Sequence, residues 1–169
     1  MTRMQVVFSD RASASMTVDI QYSILEKKEI GGVLLGHIEN NIFYVIENVC
    51  PGFNIISSPV TFQYDKEFVD YLANHYSQMY KPKLHVIGLW HTHIDGEGIF
   101  SPSDRELNDC FVEAFGNCIV SSLIVINDPN VRIVNYCIDE HHEEFIDCIF
   151  GDEYVPEYFK TYEVDSWFF

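Results

Sequence analysis

Apolar positions along this chain fall into short runs separated by Gly, Pro, Asn and Asp, and the period of each run predicts an element. Met4 to Phe8 reads as a short opening strand. The segment Ser15 to Lys28 carries Val18, Ile20, Tyr22, Ile24 and Leu25 with mixed spacing and predicts a helix. Gly32 to Ile38 and Ile42 to Val49 are apolar and rich in β-branched residues, and they meet at Asn40-Asn41, a pair that tolerates the left-handed backbone of a tight turn. A β-hairpin follows from that. Beyond a loop with Pro51, Gly52 and Pro59, residues Tyr64 to Tyr80 place Phe68, Tyr71, Leu72, His75, Tyr76 and Met79 at helical intervals, and Pro82 stops the helix. Leu84 to His91 reads as a buried strand. A loop from Ile94 to Phe100, containing Gly96 and Gly98, leads to Ser101 as N-cap, Pro102 at the first helical position and Asp104 in the first turn, predicting a helix to about Phe115. Ile119 to Ile126 and Val131 to Ile138 flank the turn sequence Asn127-Asp128-Pro129-Asn130 and predict two more strands. No internal repeat is evident.

Composition narrows the class. A length of 169 residues fits one domain, 1–169, with enough chain to bury a full core. No apolar run approaches the ~20 residues of a membrane span, and Met1-Thr2-Arg3-Met4-Gln5 has no export signal, so the expectation is a cytoplasmic protein without a membrane partner. Five cysteines (Cys50, Cys110, Cys118, Cys137, Cys148), odd in number and without a C-x-x-C pair, argue against a disulfide framework and a thiolate zinc cluster. With 26 Asp and Glu against ten Lys and Arg, a formal charge of -16 repels nucleic acid phosphates and favours basic protein surfaces. The tail 139–169 is the most acidic part, with ten Asp and Glu and the single Lys160, and it ends in Trp167-Phe168-Phe169. It reads as a helix or strap packing its aromatics onto the domain, or else as a docking element. His141-His142, beside Glu143 and Glu144, read as solvated, because adjacent side chains on a helix diverge.

One motif carries chemistry. His91 and His93, at i and i+2 on an extended segment, project from the same face of a strand and can reach one ion. Asp104 supplies a third ligand. Three protein ligands leave a fourth tetrahedral position open, the mark of catalytic rather than structural zinc. His37, His75 and His85 read instead as ordinary core or surface residues. Such a hydrolase also needs a proton-handling carboxylate, and spacing alone leaves Glu26, Glu29, Glu39 and Glu47 as candidates.

The blocks Glu29-Ile30-Gly31-Gly32-Val33-Leu34-Leu35-Gly36, Gly88-Leu89-Trp90-His91-Thr92-His93 and Ser101 to Asp104 resemble those of the JAMM metalloprotease family, also called MPN+ or JAB. The resemblance runs from Glu29 to near Ile126 and implies an α/β fold: an α/β/α sandwich around a curved mixed β-sheet, similar to cytidine deaminases. It implies that His91, His93 and Asp104 bind Zn2+. Glu29 would be the general base and acid, taking a proton from the attacking water and delivering it to the departing amine. Ser101 would hydrogen-bond the oxyanion. Gly31 and Gly32 would allow close backbone approach beside the base, or only relieve packing at a strand start.

Two positions depart from many relatives, which have Ser between the histidines and Pro after them. This chain has Thr92 and Ile94. Neither is a ligand, but both bear on the shape of the adjacent loop, where Asp95 and Glu97 either meet a basic substrate tail or form a solvated tip. The resemblance further implies hydrolysis of an isopeptide or peptide bond after the tail of a ubiquitin-like protein or its conjugate. The partners would be activating and conjugating enzymes, in some cases within antiphage operons. Alternatives are a metallohydrolase processing a sulfur carrier or small peptides, and a non-catalytic binding module of the MPN type. The loop from Cys50 to Thr61 reads as either a substrate lid or a connection.

Overall fold

A computed structural model describes residues 3–116 and 118–160. The opening strand β1 (Gln5–Phe8) runs into Ser9, whose side chain accepts from the Ala12 N–H and donates to the Ile46 carbonyl at 2.8 Å. That cap starts helix α1 (Asp10–Glu26) five residues before the expected Ser15. The reason is local: Asp10 to Ser15 has almost no apolar signal, and Ala12 alone is buried there, so capping and not periodicity marks the start. Lys27, in the left-handed region at φ 52°, ends the helix.

The hairpin β2 (Gly31–Glu39) and β3 (Ile42–Val49) forms as expected, with Asn40 and Asn41 at φ 53° and 64°. The loop after it contains a feature the hydrophobic pattern did not show, a two-stranded ladder of β4 (Ile56–Ser57) and β5 (Phe62–Gln63). Helix α2 (Lys66–Met79) follows, capped by Asp65. Its buried positions are Val69 and Ser77, both omitted from the expected stripe, whereas Tyr71, included in it, is 68% exposed. Strand β6 (His85–Ile94) extends past the expected end to contain both His91 and His93. Helix α3 (Pro102–Phe115) and strands β7 (Cys118–Asn127) and β8 (Asn130–Asp139) lie within a residue of expectation.

The acidic tail differs from its reading. Glu143–Phe150 is a strand, β9, not a helix or a loose strap, and a short 3-10 turn (Asp152–Tyr154) and one helical turn, α4 (Glu157–Lys160), follow it. Strand β9 pairs antiparallel with β8 and parallel with β1, so the curved mixed sheet closes on itself in the order β1-β3-β2-β6-β7-β8-β9. Phe8 and Phe150 stack across that closure, centroids 5.2 Å apart. His141 and His142 sit at the turn entering β9 and are exposed, as expected of solvated residues. The expectation for Trp167-Phe168-Phe169 lies outside the described residues.

Alternation sorts the strand residues onto two faces. Leu34, Phe43, Val45, Trp90, Val120 and Ile124 pack with Ala12 and Met16 of α1. Val33, Leu35, Tyr44 and Ile46 face the other way, onto Val69 of α2, and Ile119, Leu123 and Val125 pack beside Leu107 and Phe111 of α3. Among the described residues no helix is long and apolar enough to cross a membrane.

Candidate metal centre

The site lies where β2 and β6 run side by side. Their antiparallel register places Gly31 opposite His91 and Gly32 opposite Trp90, which brings Glu29, two residues before β2, to the histidine end of β6. The close approach needs the glycines. A Cβ on Gly31 would sit 2.3 Å from the Trp90 carbonyl oxygen and 2.9 Å from the His91 Cβ, and one on Gly32 would meet Asn48 Oδ1 at 2.6 Å. That Asn48 oxygen accepts the Trp90 indole N–H at 2.7 Å, fixing the ring beside the first histidine.

Strand β6 aims both imidazoles to one side, as its period of two requires. Helix α3 brings the third group. Ser101 and Asp104 form a capping box: the Ser101 hydroxyl accepts the Asp104 N–H at 3.2 Å, and the Asp104 carboxylate accepts the Ser101 N–H at 2.7 Å. The same carboxylate reaches the histidines, with Oδ1 3.1 Å from His91 Nε2 and Oδ2 3.2 Å from His93 Nε2, while the two Nε2 atoms are 2.9 Å apart.

These atoms could hold a metal ion. The spacing suits one: donors about 2.0–2.2 Å from a tetrahedral ion lie roughly 3.3–3.6 Å from each other, only slightly wider than the distances here. The donor chemistry agrees. The Glu97 carbonyl lies 2.9 Å from His93 Nδ1 and takes its N–H, so neutral His93 turns a bare Nε2 lone pair toward His91 Nε2 and a carboxylate. Lone pairs converging on one point are relieved by a cation. Glu97 thus serves through its backbone, whereas the sequence drew attention only to its acidic side chain. Among the described residues no other group of three His, Cys, Asp or Glu converges in this way.

Electrostatics separate the two carboxylates. Burial opposes ionisation of Asp104, but its contacts with His91 and His93 and the Ser101 N–H outweigh it and hold the carboxyl well below the usual range. For His93, burial lowers the pKa, and the Asp104 and Glu97 contacts outweigh it, leaving a net rise. Glu29 goes the opposite way from Asp104. Burial pushes it from 4.5 up to about 7, with His93 pulling down and Asp104 pushing up. A bound dication would draw it back down. Ser101 is exposed; its oxygen accepts the Asp104 N–H and lies 3.1 Å from Ser103 Oγ, a pair in which either hydroxyl can donate.

The structure therefore brings His91, His93 and Asp104 together, sets Ser101 against Asp104, and places Glu29 within electrostatic reach of His93 and Asp104. The remaining histidines are elsewhere. His37 stacks on Phe159 at 4.3 Å and faces His85 edge-on at 6.0 Å, and burial followed by His85 lowers its pKa. His75 stacks on Tyr71 at 6.1 Å, as expected of an ordinary surface residue.

A family model described as prokaryotic homologs of the JAB domain matches residues 23–137, a span that contains Glu29, His91, His93, Ser101 and Asp104. No curated protein matches. Among solved structures, the solution structure of protein DSY2949 from Desulfitobacterium hafniense is similar over 86% of this chain and 92% of that one, at a TM-score of 0.61 and 18% identity, a likeness of fold. The matched span, more than half of the chain, makes this protein a member of the prokaryotic JAB-domain homologues.

Proposed function

We propose that the protein is a zinc-dependent peptidase that cuts an isopeptide or peptide bond after the C-terminal tail of a ubiquitin-like protein. The observation that carries this reading is the His91, His93 and Asp104 donor set, with Glu29 brought within electrostatic reach of it across the β2–β6 seam. A carboxylate beside the ion would be placed to accept a proton and return it.

In this mechanism His91, His93 and Asp104 hold the ion. When bound, zinc lowers the pKa of water toward ~7 and polarises a carbonyl. Glu29 takes the proton of the attacking water and gives it to the departing amine. Ser101 would donate its O–H to the substrate carbonyl oxygen as negative charge develops there, an interaction that strengthens in the transition state. Thr92 and Ile94, which differ from many relatives, leave these roles intact.

Membership of the JAB-domain homologues supports the substrate class, and the charge of -16 supports a basic, extended tail as the segment recognised. The setting in this reading is a cytoplasmic conjugation pathway with activating and conjugating enzymes, such as an antiphage system, and nucleic acid and membrane play no part. The test is cleavage of a ubiquitin-like protein carrying a C-terminal extension, with and without a chelator. Cleavage that stops on chelation and returns with zinc supports the reading. Failure of the zinc-loaded protein to cut any such fusion sinks it, and equal cutting of short peptides points to small-peptide processing instead.

A further inference from the structure

The backbone around Glu29 is held in an unusual way. Two peptide units flank this residue, and they expose four polar groups: the Lys28 carbonyl, the Glu29 N–H, the Glu29 carbonyl and the Ile30 N–H. Each has a partner, one from the end of α1 and the other three from distant parts of the chain. Ser23 Oγ donates to the Lys28 carbonyl at 2.5 Å, and the Ile30 N–H donates to Thr92 Oγ1 at 2.9 Å. The Glu29 N–H donates to the Ser58 carbonyl at 2.8 Å, and the Ser57 hydroxyl donates to the Glu29 carbonyl.

These four bonds form two arms of different character. Ser23 and Thr92 are fully buried, and their hydroxyls lie 2.8 Å apart. Since the Ser23 proton goes to the Lys28 carbonyl, Thr92 donates to Ser23, giving one directed chain from the Ile30 N–H through Thr92 and Ser23 to the Lys28 carbonyl. Thr92 also sits between His91 and His93, and its own N–H donates to the Ile30 carbonyl at 2.8 Å, so this arm locks Glu29 to the strand that carries the histidines. The second arm comes from the β4–β5 hairpin, where Ser57 of β4 and Ser58 of the turn are half-buried while Ile56 and Val60 are exposed.

We propose that Thr92 and Ser57 are positioning residues: they clamp the peptide units on either side of Glu29 and thereby fix its carboxylate relative to His91, His93 and Asp104. Thr92 acts from the buried side and Ser57 from the loop 50–61, which makes that loop part of the site's support. The spacing has a physical motive. Glu29 lies outside β2, beyond the last ladder pair, so nothing in the sheet itself fixes its φ and ψ. A displacement of about 1 Å in a proton-transfer group costs on the order of 100-fold in rate.

The kinetic part of this inference rests on the peptidase reading, and the test separates the two. Amide hydrogen exchange at Glu29 and Ile30 is measured in wild type, Thr92→Val, Thr92→Ser, Ser57→Ala and Ser57→Thr. Thr92→Val keeps the shape and removes the oxygen, and is expected to speed Ile30 exchange roughly 10-fold or more, since the amide loses its one partner. Ser57→Ala is expected to do the same at Glu29 by loosening the ladder. The two conservative variants, which keep a hydroxyl, are expected to match wild type. In zinc-loaded protein, Thr92→Val and Ser57→Ala should each lower kcat about 10- to 100-fold at unchanged KM and unchanged zinc stoichiometry, with rescue by the conservative pair. Unchanged exchange in Thr92→Val and Ser57→Ala overturns the clamp whether or not the protein is a peptidase. Faster exchange with unaltered kcat in an active enzyme overturns the positioning role. If no variant, wild type included, shows activity while exchange responds as stated, the clamp stands and the peptidase reading falls. Ser57, half-buried in the loop 50–61, keeps the test usable should Thr92→Val, at a fully buried position, fail to fold.

Discussion

Gly31 lies directly opposite His91 across the β2–β6 seam, and the space for a side chain at Gly31 is already filled by the Trp90 carbonyl and the His91 Cβ. Neither can swing aside as a flexible side-chain tip would. Gly31→Ala must therefore spread the seam that holds Glu29 to the histidines. The expected result is a loss of about 1–3 kcal/mol of stability, typical of forced overpacking, together with weaker zinc binding. Chemical denaturation and a zinc titration check this, and wild-type values in both would contradict the seam's tightness.

Asp104 does two jobs, and two substitutions separate them. Asp104→Asn keeps an oxygen for the Ser101 N–H but loses the charge that faces His91 and His93. Asp104→Ala loses both. Zinc affinity is expected to fall steeply in each. In metal-free protein both lose the stability of the ionised carboxylate, and Asp104→Ala is expected to cost about 1 kcal/mol more than Asp104→Asn, the worth of a lost capping bond. Equal stability losses would show that the capping box contributes nothing beyond the charge.

Glu29 gives the metal-free protein a pH signature. Its folded pKa, raised from 4.5 to about 7, means that the folded state holds a proton that the unfolded state releases. Its contribution is fully present below about 4.5 and is lost as pH rises through about 7. Asp104 has the opposite sign: its depressed pKa contributes stability above 3.8 that is lost as pH falls toward the folded value. Asp19, raised to about 6 by burial against the pull of Asn48, overlaps the Glu29 window, so the difference between wild type and Glu29→Gln isolates Glu29. Thermal melts of chelator-treated protein should show wild type losing stability relative to Glu29→Gln between pH 4.5 and 7. A constant difference across that range would contradict the raised pKa.

His93 depends on the Glu97 carbonyl for its tautomer, and the loop that presents that carbonyl is tied down by Tyr136, whose hydroxyl donates to the Gly98 carbonyl. Tyr136→Phe leaves the ring packing on Phe100 and Phe145 intact and removes only this bond. Zinc affinity is expected to fall about 10-fold or more, in the range that outer partners of ligating histidines command. Titration against a competing chelator measures it, and unchanged affinity would remove the loop from the site's support.

How much of this could be read in the chain depends on the range over which each feature acts. His91, His93, Ser101, Pro102 and Asp104 were legible because a strand period and a helix cap are local rules. Glu29 was singled out only by family resemblance, since its nearness to the histidines arises from register between β2 and β6, which are far apart in sequence. Ser23, Ser57 and Ser58 carried no signal: serines in a helix end and a loop look alike whether or not they bind backbone elsewhere. The two-residue strands β4 and β5 are too short for any period to show. In β9 the acidic residues Glu143, Glu144 and Asp147 disguised a strand whose buried position is Ile146, and closure of the sheet, which pairs Val6 with Cys148, is a tertiary event that no local pattern announces.

The central claim is that Glu29 moves the proton while His91, His93 and Asp104 hold the ion. It is tested most directly by the cleavage rate of a ubiquitin-like fusion by wild type and Glu29→Gln, each shown by elemental analysis to carry one equivalent of zinc. The expected result is equal zinc content with a rate lowered about 100- to 10,000-fold in the variant, the range of a lost general acid–base group. Equal rates at equal zinc, or a wild-type protein that holds no zinc, would contradict it.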